Sequence, residues 1–500
     1  MKLFNSQQIR EWDQATIIET PISSIELMEK AAIAFTDIFK RKYTPNRPVS
    51  VFCGMGNNGG DGLAIARILS MAGYDVRIWL ADFGQDKSND FLINLNRLPD
   101  FDHIPMFAVD MAEPPMLSPD ELVIDALLGT GINRPVEGAL EDLIHWLNSL
   151  HHTIVSVDIP SGLYADADCE TAIKANHTIT FQIPKISFLL PSYEQYTGTW
   201  ETVDIGLIKG FAARTPSRYY LSEIELIRTL INKRKKFSHK GTYGHALLIN
   251  GSYGKGGAAI LAAKACLRSG VGLLTNHIPS NLYNILQTSV PEAMASLDEH
   301  EFYWSSLPKD IRKYTAIGVG CGIDQKESTE RALLTLLSEN DSRMVLDADA
   351  INLLARHPDW LHKLPAGTIL TPHIKEFERL FGPSKSCFDR VEKLRKNACD
   401  YNLIIVLKGA HSAIGLPDGH IYFNNTGNPG MATAGTGDVL TGILTGLVAQ
   451  GYDSQSAALI GTFIHGFAGD LAYKDSSYES LIASDIIKYM GHAFHTIFHG

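Results

Sequence analysis

The clearest chemical potential lies in Ala434-Gly435-Thr436-Gly437-Asp438, which leads into a run carrying Leu440, Leu444, Leu447 and Val448 at helical spacing. Glycines at a helix start leave backbone N–H groups uncovered, and a transferring phosphoryl group is stabilised there. Asp438 falls just inside that helix. A carboxylate so placed can take a proton from an attacking hydroxyl. Aspartate is also a common helix cap. The flanking Gly-x-Gly and the long loop from Asn425 to Thr433 favour catalysis.

The first half carries a second set. Cys53-Gly54-Met55-Gly56-Asn57-Asn58-Gly59-Gly60-Asp61-Gly62 is expected as a glycine loop before a helix from Leu63 to Ala72. Such a loop can cradle phosphate, and Asn57, Asn58 and Asp61 add oxygen ligands to it. Asp125 opens the segment that continues to Gly129-Thr130-Gly131-Ile132-Asn133-Arg134-Pro135, and Asp158 opens Asp158-Ile159-Pro160-Ser161-Gly162.

These residues need elements to hold them. Val49–Cys53, Val76–Leu80, Leu122–Asp125 and Thr153–Asp158 read as strands. Ser23 and Glu26 form a capping box for a helix with Ile25, Met28, Ala32, Phe35 and Phe39 at helical spacing. Alternating strands and helices imply a parallel sheet covered on both faces, with ligands outside the carboxyl ends of its strands. The rhythm fades over 207–240 and resumes with strands at 246–250, 314–319, 344–346, 368–371 and 403–407. Two α/β domains are expected, 1–212 and 236–500. The linker region 213–235 between them holds a solvated Lys233-Arg234-Lys235-Lys236 run.

A net charge of −11 argues against nucleic acid as a partner. No uninterrupted apolar run reaches the roughly 18 residues of a membrane span, and the first residues lack a signal-peptide core. A cytoplasmic protein with small-molecule partners is expected, without nucleic acid or membrane and assembled as a homo-oligomer. The six cysteines are scattered and form no Cys-x-x-Cys pair, so reduced thiols are expected.

Taken with Pro184-Lys185 and Val203-Asp204-Ile205-Gly206, the first-half segments resemble the NAD(P)H-hydrate epimerase family. The resemblance implies a Rossmann-like doubly wound domain. Asn57, Asn58, Gly59, Gly60 and Asp61, with Gly129, Thr130, Gly131, Ile132, Asn133, Arg134 and Pro135, would hold the hydrated dinucleotide. Asn58, Asp125 and Ser161 would ligate potassium, a hard cation suited to oxygen ligands. Asp158 would touch the substrate and serve as the acid–base group. Domains of this family also serve as binding modules without catalysis.

The second half resembles the ribokinase-like superfamily, and within it the ADP- or ATP-dependent NAD(P)H-hydrate dehydratases. The match rests on Gly257-Ala258-Ala259, Gly318-Val319-Gly320-Cys321-Gly322, Leu346-Asp347-Ala348-Asp349-Ala350, Thr371-Pro372-His373 and Leu407-Lys408-Gly409-Ala410-His411-Ser412, besides the Asp438 segment. Val319 and Cys321 stand where members often carry proline and leucine. By this resemblance Ala258, Gly320, His373 and Asp438 would hold the hydrated dinucleotide, and Lys408, Gly409, Ala410, His411, Ser412 and Gly437 the adenine nucleotide. Phosphorylation of the hydrate's hydroxyl, with Asp438 as base and magnesium with ADP as donor, would turn hydroxide into a good leaving group. The two resemblances imply a bifunctional isomerase and lyase: R and S hydrates of NADH and NADPH are interconverted, and the S form is dehydrated with release of AMP and phosphate. A ribokinase-superfamily small-molecule kinase with an N-terminal binding module is the alternative.

Overall fold

The computed structural model describes residues 1–500 apart from Gln85, Asp102, Asn133, Gly500 and the side chain of Pro99. The chain forms two compact units, Lys2–Ser217 and Arg218–Gly500.

In the first unit seven parallel strands lie in the spatial order Met106–Ala108, Val76–Leu80, Val49–Cys53, Leu122–Ala126, Thr153–Val157, His177–Phe181, Thr199–Val203. Alternation along the strands sends side chains to two cores. Val49, Val51 and Cys53 join the core under the helices Ser24–Lys42 and Asn57–Met71, while Phe52, Val123 and Ile154 join the core under Ala139–Ser149. The sheet is therefore wound on both faces, as its alternating pattern predicted. The order reverses between Val49–Cys53 and Leu122–Ala126, and the carboxyl ends of those two strands frame the crevice where such sheets bind ligands.

Ser23 caps Ser24–Lys42 in a reciprocal capping box with Glu26. The expected helix from Leu63 begins six residues sooner, at Asn57, because the glycine segment is itself helical. Glycine weakens a helix by roughly 1 kcal/mol relative to alanine. Packing explains it here: a Cβ on Gly59 would sit 1.7 Å from the Gly54 carbonyl oxygen, and one on Gly62 would sit 2.7 Å from Cys53 Sγ.

The second unit is a mixed sheet in the order Tyr219–Ser222, Ile421–Asn424, Ala413–Gly415, Ile404–Leu407, Ile369–Leu370, Arg343–Leu346, Ala316–Val319, His245–Ile249, Leu273–Ile278, Met294–Leu297. Only Ala413–Gly415 runs antiparallel to its neighbours among these strands. The helices Gly256–Arg268, Thr436–Ala449, Ser454–Lys474 and Ala483–His499 share one core. Thr436–Ala449 is buried on every side from Val439 onward, not along one stripe. Gly442 and Gly446 permit this, since a Cβ on Gly442 would lie 2.1 Å from the Ala262 carbonyl oxygen.

Of the stretch read as a linker, 213–235, the part from Arg218 onward belongs to this unit and is structured as far as Leu230. Tyr219–Ser222 pairs in parallel with Ile421–Asn424, and the helix Ile224–Leu230 buries Ile227. Both pieces are too short to show a periodicity in the sequence. The Lys233–Lys236 run is exposed, as expected.

Candidate functional site

Each unit gathers its chemistry at the reversal point of its own sheet. In the first unit Asp125 is fully buried at the end of its strand. It accepts from the Ser156 hydroxyl (2.7 Å) and from the Ser161 backbone N–H (2.9 Å) and hydroxyl (2.5 Å). Burial pushes its carboxyl up, and these donors hold the rise back. Ser161 Oγ also accepts from Leu128 N–H (2.8 Å), and the Asn58 amide donates to the Leu128 carbonyl (2.9 Å). The three residues expected to ligate potassium thus share one oxygen-rich knot. Among the described residues no lysine or arginine pairs with Asp125. A buried carboxylate with a hydroxyl, a carbonyl and an amide around it fits a hard monovalent cation.

Asp158 follows the next strand in a left-handed conformation, φ 64°, which strains a non-glycine residue. It does not cap a helix. It accepts from the Lys185 ammonium (2.5 Å), Phe181 N–H (2.9 Å) and the Thr180 hydroxyl (3.2 Å). Lys185 is itself fully buried and also donates to the Thr180 hydroxyl, at 2.8 Å. This ion pair has no signature in the sequence around Asp158: the carboxylate expected as the acid–base group has a cation against it.

Two further carboxyls belong to the group. Asp61 is pushed well above the usual carboxylate range by burial and by Asp158, Asp13 and Asp90. Asp13, on the helix Ser6–Glu19, is pushed up to about 7 by burial and by Asp158, with Lys185 opposing. Several carboxyls around one lysine do not all ionise together, so a proton is retained near neutral pH. Asp13 carries no local motif. The stretch Thr130–Pro135 is largely exposed where described, and Asn133 lies outside the described residues.

In the second unit the helix Thr436–Ala449 starts from Gly435, which is left-handed at φ 90° and offers no side-chain cap. A Cβ there would meet Leu261 Cδ1 at 2.5 Å. Asp438 is in the first turn and is not the cap residue, so the structural reading of it as a simple cap fails. Burial pushes its carboxyl up to about 6, the Cys321 thiol lowers it, Asp347 raises it, and Lys408 lowers it.

Asp347 organises the floor. It accepts from the Lys408 ammonium (2.8 Å) and the Thr441 hydroxyl (2.8 Å). Burial draws Lys408 down, but Asp347 outweighs it, and the net shift is upward. A Cβ on Gly437 would lie 3.5 Å from Lys408 Nζ, so this lysine and the helix start face one space. Gly320, at φ 132°, packs so closely that a Cβ would reach 1.9 Å from the Asp347 carbonyl oxygen. Ala258 lies over the adjoining Gly322, within 3.4 Å of where a Cβ would be. His373 is bridged to Lys408 through the backbone, yet its ring has structural work: Nδ1 accepts from Lys375 N–H (3.1 Å) and Glu376 N–H (3.2 Å) at a helix start. Gly409–Ser412 is the turn between Ile404–Leu407 and Ala413–Gly415. It is closed by Ser412, whose hydroxyl donates to Gly409 C=O at 3.1 Å. His411 Nδ1 lies 3.2 Å from the Asn424 carbonyl oxygen.

The chain is similar to known proteins along its whole length. Residues 24–187 match the family model described as YjeF-related protein N-terminus, and 246–491 match that described as NAD(P)H-hydrate dehydratase. The bifunctional NAD(P)H-hydrate repair enzyme Nnr of Moorella thermoacetica is 34% identical over 98% of this chain and 96% of its own. The chain belongs to this family. The Nnr proteins of Coxiella burnetii (34% identical, 98% of each chain) and Escherichia coli (31%, 96% of this chain and 92% of that one) are further relatives. A solved ADP/ATP-dependent NAD(P)H-hydrate dehydratase from Bacillus subtilis, co-crystallised with ATP and Mg2+, superposes with a TM-score of 0.50 at 32% identity, over 56% of this chain and 98% of that chain. A ribokinase-like superfamily protein from Enterococcus faecalis shares the fold, at 24% identity, a TM-score of 0.50 and coverage of 57% and 99%. The second unit is thus ribokinase-like, and the family joins it to an N-terminal YjeF-type domain.

Proposed function

We propose that both sites of this repair enzyme are catalytic: the epimerase module, 1–212, interconverts R and S hydrates of NADH and NADPH, and the dehydratase module, 236–500, dehydrates the S form with ADP. The observation that carries the reading is Asp438, a base-competent carboxyl in the first turn of a helix whose start no side chain covers. Asp438 takes the proton of the substrate hydroxyl as its oxygen attacks the terminal phosphorus of the nucleotide. The helix N–H groups receive the charge on the transferring phosphoryl group. AMP departs. The lone pair of the ring nitrogen then breaks the C–O bond, phosphate leaves, and loss of a proton from the neighbouring carbon restores the double bond. Magnesium brought with the nucleotide would balance the charge of its phosphates. Lys408, tied to Asp347, with Gly409, Ala410, His411, Ser412 and Gly437, lines the nucleotide side. Ala258, Gly320 and His373 line the hydrate side.

In the epimerase module Asp158 and Lys185 form the charged floor, and Asp13 is the acid that still carries a proton near neutrality. Asn57–Asp61 and Gly129–Pro135 hold the dinucleotide. Asn58, Asp125 and Ser161 would hold potassium, which would supply a fixed positive charge there. The enzyme is a cytoplasmic homo-oligomer, which light scattering checks. The test of the function supplies hydrated NADH with ADP or ATP and follows recovery of NADH with release of AMP or ADP. Recovery with ADP, at one AMP per NADH, is expected. Phosphorylation of another alcohol with no NADH recovered would show a small-molecule kinase instead.

A further inference from the structure

The helix Ser454–Lys474 holds the run Thr426–Thr436, which leads to Asp438, at both of its ends. At the far end it holds the loop. Thr426 Oγ1 donates to the Phe463 carbonyl (2.8 Å), and the Asp470 carboxylate accepts from the Gly427 N–H (2.9 Å) and the Asn428 amide (3.0 Å). Two glycines of the helix allow this approach: a Cβ on Gly466 would collide with Thr426, and one on Gly469 with Met431. At the near end His465, the residue before Gly466, meets the turn itself. Its ring Nε2 lies 2.9 Å from the Thr436 carbonyl oxygen. A carbonyl only accepts, so the nitrogen facing it carries the proton and donates. Burial pulls the ring down to about 4, so near neutral pH it is uncharged and has one N–H, which this bond uses.

The bond falls on one particular peptide. Thr436 C=O and Gly437 N–H belong to a single planar unit and point in opposite directions, so fixing the carbonyl fixes the direction of the N–H. A carbonyl that accepts a hydrogen bond also polarises its own amide, and the N–H becomes a better donor. Glycines flank Thr436 on both sides, so side chains of the turn itself restrain this peptide least. Gly437 lies in the first turn, where its N–H has no helical carbonyl to meet. We propose that His465 is a positioning residue for the phosphoryl step: its Nε2–H donates to the Thr436 carbonyl, sets the plane of the Thr436–Gly437 peptide and aims the Gly437 N–H at the transferring group. The proposal rests on the reading of this helix start as the place of phosphoryl transfer. Asp470 serves the same end, because its hold on Gly427 and Asn428 keeps loop and helix in the register that brings His465 to the carbonyl.

The experiment measures kcat and the KM for hydrated NADH in ADP-dependent dehydration, per folded enzyme, for the full-length protein and its His465→Leu, His465→Gln and Asp438→Asn variants. His465→Leu lowers kcat about tenfold, the worth of one hydrogen bond realised in the transition state, and leaves KM in place. His465→Gln puts an amide N–H near the position of Nε2 and recovers most of the rate. A role in stability alone would lower the melting temperature and leave kcat where it was. That result, or a glutamine variant as slow as the leucine one, would overturn the proposal. Asp438→Asn tells the two levels apart. If it still returns NADH, the reading of the helix start falls and this proposal with it; if it is inactive while His465→Leu keeps the parent kcat, this proposal alone falls. Should His465→Leu not fold, nitrogen NMR of the histidine-labelled parent decides, with the His465 signals assigned by their loss in His465→Gln. A neutral ring protonated at Nε2 is expected, and a proton on Nδ1 would refute the bond and the proposal.

Discussion

Each of the two α/β units sets one carboxylate at its site, Asp158 just after a strand and Asp438 in the first turn of a helix, and the chain treats them in opposite ways. Asp158 is strained, fully engaged and paired with a buried lysine, and the protons of its site reside on neighbouring carboxyls such as Asp13. Asp438 has no cation in contact among the described residues; it lies in an uncovered helix turn where burial raises it. The difference matches the two tasks. Inverting a centre needs both a donor and an acceptor at one site. Phosphoryl transfer needs one base, with the charge balanced by backbone N–H groups and the nucleotide's metal.

The largest expected break of this contrast is separation of the activities. Asp438→Asn lowers dehydration by about 10³-fold, within the span of general-base catalysis, and leaves epimerisation intact. Rates of the two reactions in one preparation check it. Next is Lys185→Met. Removing one member of a buried pair costs about 3–5 kcal/mol, so denaturant unfolding of the first unit moves to lower urea while the second unit holds. No such loss follows at Asp438, which has no ion pair.

The pH profiles sharpen the contrast further. As the proposed base, Asp438 must be deprotonated, and its carboxyl is raised to about 6, so dehydration is expected to hold above that pH and to fall about tenfold per unit below it. Asp13 must be protonated to donate, so epimerisation falls as pH rises through about 7. Asp13→Asn is slower and loses that fall. Initial rates across pH test both. The smallest effect is Thr441→Val, which removes one donor to Asp347 and destabilises by about 1–2 kcal/mol, read by denaturant titration of the second unit.

Much of this was legible before the fold. The strands at the sheet centres are buried apolar runs, Asp125, Asp158 and Gly320 follow or end them, and Asp438 opens a helix after a glycine pair, so sequence and site coincide there. What the sequence hid depends on distance. Lys185 lies 27 residues from Asp158, and Asp13 comes from a helix near the start of the chain. A lysine among Ile183, Pro184 and Ile186 was the one available sign of a buried partner. Propensity alone makes the glycine segment at Asn57 a loop; the close packing that demands glycine inside a helix there is a long-range effect. The edge strands Met106–Ala108 and Thr199–Val203 are short and carry exposed residues, so no periodic pattern marks them.

The most direct measurement gives purified enzyme an equal mixture of R and S hydrates of NADH with ADP and magnesium, and follows each epimer by chromatography. The account predicts that the intact chain clears both. Asp158→Ala clears S and leaves R to decline at the rate of an enzyme-free control. Asp438→Asn clears neither while still equilibrating them. A chain in which Asp158→Ala clears R as fast as the parent, or in which Asp438→Asn still returns NADH, would contradict it.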